Sequence, residues 1–152
     1  MGNDNIIFEK NWEDDNLIEL KITGVSKYVS AFQSCYVENN FLEDISVIIS
    51  NYILNYHEEC YLEFGKKEEN YTPAFSMKLL PADNLGHVKI EVDMEIADNC
   101  IRAHRCCFYV NSELGQVEKL GKELSTLAYR KIGTMIMLNY DAVNKNTLIE
   151  AV

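Results

Sequence analysis

Between Leu17 and Thr23 the chain alternates, with Ile18, Leu20 and Ile22 against Glu19, Lys21 and Thr23, which is the period of a half-buried strand. Gly24-Val25-Ser26 predicts a turn, and a second strand follows from Lys27 to about Val37. With Val25-Ser26 as a two-residue turn, Ile22 faces Val29, Leu20 faces Ala31 and Glu19 faces Phe32. From Asn40 the period changes. Asn40 and Glu43 have capping-box spacing, and Leu42, Ile45, Ile49, Tyr52 and Tyr56 then fall on one helical face. Cys60 to Phe64 and Ala74 to Leu80 read as short strands around the loop from Gly65 to Asn70, and Pro81 closes the second. His87 to Ile96 holds the longest alternation, and Asp98-Asn99 as a two-residue turn pairs Ala97 with Cys100. That register sets Met94 opposite Ala103, Ile90 opposite Cys107 and Val88 opposite Tyr109, with Glu95 against Arg102 and Asp93 against His104 on the polar face. Ser112 predicts the cap of a second helix with the stripe Leu114, Val117, Leu120, Leu124 and Leu127. Ile132 to Leu138 fits either a last strand or an extension of that helix.

These elements predict one α+β domain over residues 1–152, a mainly antiparallel sheet with two amphipathic helices. The order is ββα, then several strands, then α, and residues 1–11 and 140–152 are the candidate flexible ends. A chain of 152 residues can bury roughly 70% of the surface its unfolded form exposes. No apolar run reaches the roughly 18 residues of a membrane span, and the start has no basic segment followed by an apolar one. The five cysteines, Cys35, Cys60, Cys100, Cys106 and Cys107, are odd in number and contain no C-x-x-C pair, so reduced thiols in a cytoplasmic protein are expected.

Charge changes the picture more than composition does. Residues 1–72 hold fourteen Asp and Glu against five Lys and Arg, whereas residues 73–152 hold ten against nine, so most of the net charge of −10 lies in the first half. Like charges on one small domain repel on compaction, and a basic partner is one reason to keep them. The same charge disfavours nucleic acid through phosphate repulsion.

Motifs for chemistry are sparse. The predicted hairpin gathers Cys100, His104 and Cys106 with Asp93 and Glu91 on one face, every zinc-ligand type together, but Arg102 and Lys89 share that face and oppose a cation. His57-Glu58-Glu59-Cys60 lacks the second histidine of H-E-x-x-H, since position 61 is Tyr61. Cys106 and His104 lack an evident oxyanion donor, and no P-loop, G-x-G-x-x-G or G-x-S-x-G is present. No catalytic residue, cofactor or metal site is therefore predicted. Arg105 interrupts the apolar face of its strand and either snorkels at the sheet edge or meets a carboxylate. Tyr28, Phe32 and Tyr36 recur every fourth residue on the face of Glu19, Lys21 and Thr23. They are either aromatic anchors of a binding patch or core beneath a covering helix.

The entry Asp14-Asp15-Asn16-Leu17-Ile18-Glu19-Leu20, the helix Phe41 to Tyr56, Leu62-Glu63-Phe64, Ala74-Phe75-Ser76-Met77-Lys78-Leu79 and the closing helix Ser112 to Leu127 together resemble the immunity proteins of wall-associated and other polymorphic bacterial toxins. The resemblance covers roughly residues 14–127; the family's Trp after the Asn is Leu17 here, and the chain's Trp is Trp12. It implies a non-enzymatic inhibitor that occludes a cognate toxin, often a basic nuclease. Glu13, Asp14, Asp15 and Glu19, with Tyr28, Phe32 and Tyr36 if exposed, are the expected partner-binding residues. Two other readings stand beside it: a small-ligand domain with Arg105 reading an anionic group, and a homo-oligomeric structural module.

Overall fold

The computed structural model describes residues 3–65, 74–97 and 103–140. In chain order these residues form β1 (Asn5–Glu13), β2 (Leu17–Val25), β3 (Ser30–Glu38), α1 (Phe41–Leu54), β4 (Cys60–Gly65), β5 (Ala74–Leu79), β6 (His87–Ala97), β7 (Ala103–Glu113), α2 (Leu114–Leu127) and β8 (Met135–Met137). The strands make two antiparallel sheets of four, ordered β3-β2-β1-β8 and β4-β5-β6-β7. The fold is the α+β class expected from the alternation, with the predicted antiparallel pairing divided between two sheets.

The inner faces meet through Ile6, Phe8, Ile18, Leu20, Ile22, Cys35 and Val37 of the first sheet and Leu62, Phe64, Phe75, Met77, Leu79, Ile90, Val92 and Val110 of the second, all buried. At the centre Phe8 lies 5.5 Å from Phe64 and 6.0 Å edge-on to Phe75, and Phe41 of α1 meets Phe64 at 5.5 Å. Gly24 is part of this seam rather than of a turn. A Cβ there would lie 2.7 Å from the Phe108 ring, so only hydrogen lets the sheets approach this closely.

The helices pack on one another, and the predicted stripes are buried, Leu42, Ile45, Ile49 and Tyr52 on α1 and Val117, Leu120, Leu124 and Leu127 on α2. Gly121 sits at the contact, where a Cβ would fall 2.8 Å from Ile49 Cγ2, whereas Gly115 has nothing within 4 Å. Alanine gains about 1 kcal/mol of helix propensity over glycine, but overpacking costs about 1 to 3 kcal/mol. Gly115→Ala is therefore expected to raise stability and Gly121→Ala to lower it, and urea unfolding of the two variants reads the opposite signs.

Several local expectations are corrected. The β2–β3 loop is four residues, Ser26 to Val29, closed by Ser26 N–H to Val29 O at 2.8 Å. Ile22 therefore faces Gln33, Leu20 faces Cys35 and Glu19 faces Tyr36. This shift of four keeps each residue on its expected face, because side chains alternate with period two. In the β6–β7 hairpin Ala97 pairs with Ala103, a shift of three that turns the other face of β7 inward. Cys106, Phe108 and Val110 take the apolar side, Cys107 and Tyr109 the outer side. The strand carries apolar residues at both parities, so hydrophobic matching did not discriminate the two registers. The Asp98-Asn99 turn, Cys100, most of the loop from Gly65 to Asn70 and the tail 141–152 lie outside the described residues.

Asn40 has helical backbone and makes no side-chain cap, and Glu43 instead accepts a hydrogen bond from Tyr129 at 2.6 Å. Glu113, not Ser112, stands at the cap position of α2; Ser112 ends up in β7, its hydroxyl donating to Asn139 Oδ1 at 2.7 Å. Ile132 to Leu138 resolves as the short strand β8. Residues 5–11, assigned above to a flexible end, belong to β1, an inner strand of the first sheet.

Cys35 is fully buried, and that burial pushes its thiol pKa up to about 12. A raised thiol pKa means the unfolded chain ionises first, so this group's contribution to stability falls as pH climbs from about 9 toward 12. At pH 8 Cys35 is expected to react with a maleimide only at the rate of global unfolding, which mass spectrometry of the labelled peptide against urea concentration checks.

Candidate protein-binding surface

The outer face of the first sheet is uncovered. Tyr28 is 85% exposed, Phe32 64%, Tyr36 52% and Trp12 42%, which decides the open alternative for the aromatic residues in favour of exposure. Phe32 and Tyr36 project from β3, while Tyr28 lies in the loop that precedes it. Met135 of β8 is also exposed, and Ile7, Val25 and Met137 are half-buried.

Trp12 reaches this face through a β-bulge. The β1–β2 register changes between Lys10, opposite Leu20, and Trp12, opposite Glu19. Without the extra residue Trp12 would share the inward face of Lys10; the bulge turns its ring outward, the re-aiming that bulges perform. Trp12, Glu19 and Tyr36 then form one row across three strands. The two rings lie 6.0 Å apart at 85°, and the Glu19 carboxylate beside the Tyr36 hydroxyl pushes its phenol pKa up. Lys21 sits over Phe32 at 4.7 Å and Lys27 over Tyr28 at 5.3 Å.

The acidic residues that precede Glu19 form the β1–β2 turn, and their roles differ. Asp14 Oδ1 accepts the N–H groups of Asn16 at 2.8 Å and Leu17 at 2.7 Å, which lowers its pKa and shapes the turn. Glu13 pairs with the Lys10 ammonium at 2.6 Å. Asp15 is exposed at the tip, its carbonyl accepting from Asn39 at 3.0 Å. Trp12, Glu19 and Tyr36 thus share the outer face beside the acidic β1–β2 turn of Asp14 and Asp15, whereas Glu13 lies opposite inward-facing Ile18, and Phe32, opposite Thr23, stands toward the other end of the sheet with Tyr28. Trp12 is the member that the alternation did not reveal.

The chemistry imagined on the β6–β7 hairpin is not assembled. Asp93 faces outward opposite Cys107, while Cys106 pairs with Met94 and His104 with Ile96 on the other parity, so Asp93, His104 and Cys106 do not converge. Arg105 does not enter an apolar pocket: its guanidinium is on the outer face, bound to both Asp93 oxygens at 3.2 and 2.7 Å and 62% exposed. Asp83 Oδ1 accepts from Leu85 and His87 N–H groups, and its Oδ2 lies 2.9 Å from His87 Nδ1, holding the turn into β6. Those bonds, the His87 N–H first, lower the Asp83 pKa. Among the described residues no helix is long and apolar enough to cross a membrane.

No family model matches this chain, and neither the curated proteins nor the solved structures contain a match.

Proposed function

We propose that this chain is a non-enzymatic acidic protein that binds and neutralises a cognate basic protein, with the outer face of its first sheet as the interface. The observation that carries the reading is the aromatic face itself: Trp12, Phe32 and Tyr36 stand exposed on a helix-free sheet surface that ends in the acidic β1–β2 turn. Aromatic anchors beside carboxylates provide desolvated contact and charge complementarity at once. Fixed negative charge also speeds the encounter with a cationic partner and makes it salt-dependent. The resemblance to toxin immunity proteins adds a partner class, a basic toxin nuclease occluded by the bound protein.

The test is affinity capture from the source cell at low and high salt, with the wild-type chain and with a combined Trp12→Ser, Phe32→Ser, Tyr36→Ser variant as bait. A basic protein recovered at low salt by the wild type alone, and inhibited by it in a nuclease assay, is the expected result. Loss of each exposed anchor is expected to weaken binding by about tenfold. Equal recovery by the variant, or a captured partner whose binding ignores salt, contradicts the proposal. A concentration-dependent dimer that buries the same rings would give the face to a second copy instead.

A further inference from the structure

We infer that Trp12, Glu19 and Tyr36 form a receptor for a single guanidinium group, an arginine side chain presented by the partner. The inference rests on the basic-protein reading and assigns it a specific contact. Neighbouring strands lie about 4.8 Å apart, so residues on β1 and β3 are separated by about 10 Å at the backbone. The Trp12 and Tyr36 ring centroids are nevertheless 6.0 Å apart, so the rings lean toward each other over β2, above Glu19. Glu19 is half-buried there, between Trp12 and Tyr36 in the row, and lies close enough to the Tyr36 hydroxyl to push its pKa up.

The rings are perpendicular and both residues are exposed, so aromatic surface is accessible in the same row as Glu19. A planar cation can stack on the ring and donate two N–H groups to the oxygens, which an ammonium, a compact and strongly hydrated point charge, does less well. The chain's own cations are placed elsewhere: Lys21 covers Phe32, Lys27 covers Tyr28 and Lys89 covers Tyr109 at 5.8 Å. Among the described residues no lysine or arginine of the chain lies over Trp12 or Tyr36. Among the described residues no internal cation fills the corner, and the bulge that turns Trp12 outward serves to build it.

Trp12 is the sole tryptophan, so its emission reads occupancy directly. The full chain is titrated with hexa-arginine, hexalysine and hexaglutamate peptides, following fluorescence and calorimetric heat together, for wild type, Glu19→Gln and Asp15→Asn. The last two remove the same charge, and glutamine keeps an acceptor for the Tyr36 hydroxyl. Hexa-arginine is expected to change Trp12 emission saturably and to bind about fivefold more tightly than hexalysine. Glu19→Gln is expected to weaken it about tenfold, Asp15→Asn about twofold. Heat without any change in emission, or equal losses for the two variants, overturns the arginine receptor and leaves the basic-protein reading standing. Absence of heat with both cationic peptides overturns both.

Discussion

Lys10→Ala is expected to cost about 3 to 5 kcal/mol, from the cavity left by a buried side chain and from two carbonyls left without their donor. For a domain of this size that corresponds to a fall in Tm of roughly 10 °C or more. The lysine side chain is fully buried on the inward face of β1. Its ammonium has three donors and all three are used: Ala128 O at 2.9 Å, Arg130 O at 2.7 Å and Glu13 Oε2 at 2.6 Å. The two carbonyls lie at the C-terminal end of α2, that of Ala128 at its C-cap and that of Arg130 in the turn that follows, where the helix end carries a partial negative charge. The backbone of Lys10 binds the same connection, donating to Thr134 O and accepting from Gly133 N–H. One residue therefore ties the end of α2 and the connection from α2 to β8 to β1. Lys10→Met, which fills the space but leaves the carbonyls unmet, should remain well below wild type. Glu13→Gln should lose much less, because Glu13 is 43% exposed and the carbonyls keep their donor. Thermal unfolding of the three variants checks the order, and a Lys10→Met protein as stable as wild type would contradict it.

The second large effect is expected at Asn139. Its side-chain amide donates to Asp4 O at 2.8 Å and Asn111 O at 2.9 Å, and its Oδ1 accepts the Ser112 hydroxyl. Its backbone pairs with the Asn5 side chain at 2.8 and 3.3 Å. Asp4, Asn5, Ser112 and Asn139 are all buried, and this cluster joins the start of β1, the end of β7 and the second residue after β8. Asn139→Ala leaves several buried groups unsatisfied and is expected to cost about 3 kcal/mol. Asn139→Asp keeps the size but aims a second oxygen at two carbonyls. Facing those acceptors, the new carboxyl would titrate above its unfolded value of about 3.9. A raised folded pKa makes the unfolded state ionise first, so the penalty relative to wild type grows as pH rises above about 4. Urea unfolding at pH 4 and pH 7 reads it, and a pH-independent difference would contradict the assigned hydrogen bonds.

Both residues explain why parts of the fold were illegible in the sequence. The strand β1 places Ile6, Phe8 and Lys10 on the core side, and a charged residue in the third inward position hides the alternation. The amine is acceptable there because the segment that follows α2, more than a hundred residues later, supplies carbonyls. The bulge at Asn11 then shifts Trp12 out of phase, so no single period spans Asn5 to Glu13. By contrast β2, β4, β5, β6 and both helical stripes were legible, because each carries an unbroken apolar row toward the core. Hairpin registers were less so, since loop length sets them: four residues rather than two between β2 and β3 left the faces intact, while the odd shift between β6 and β7 exchanged them. The acidic turn and the aromatic residues of β3 were visible in the sequence. That Phe32 and Tyr36 stay uncovered depends on where the helices pack, which no local pattern encodes.

Hydroxyl-radical footprinting of the chain, alone and bound to the basic protein recovered by capture, tests the proposed interface most directly. Exposed aromatic side chains occur both on the proposed face, Trp12, Phe32 and Tyr36, and away from it, Tyr61, Tyr109 and Tyr129, so each experiment carries its own control. Oxidation of the first three is predicted to slow several-fold in the complex while that of the last three is unchanged. Protection of Tyr61 and Tyr109 with Trp12 and Tyr36 still reactive would place the partner on the second sheet and contradict the account.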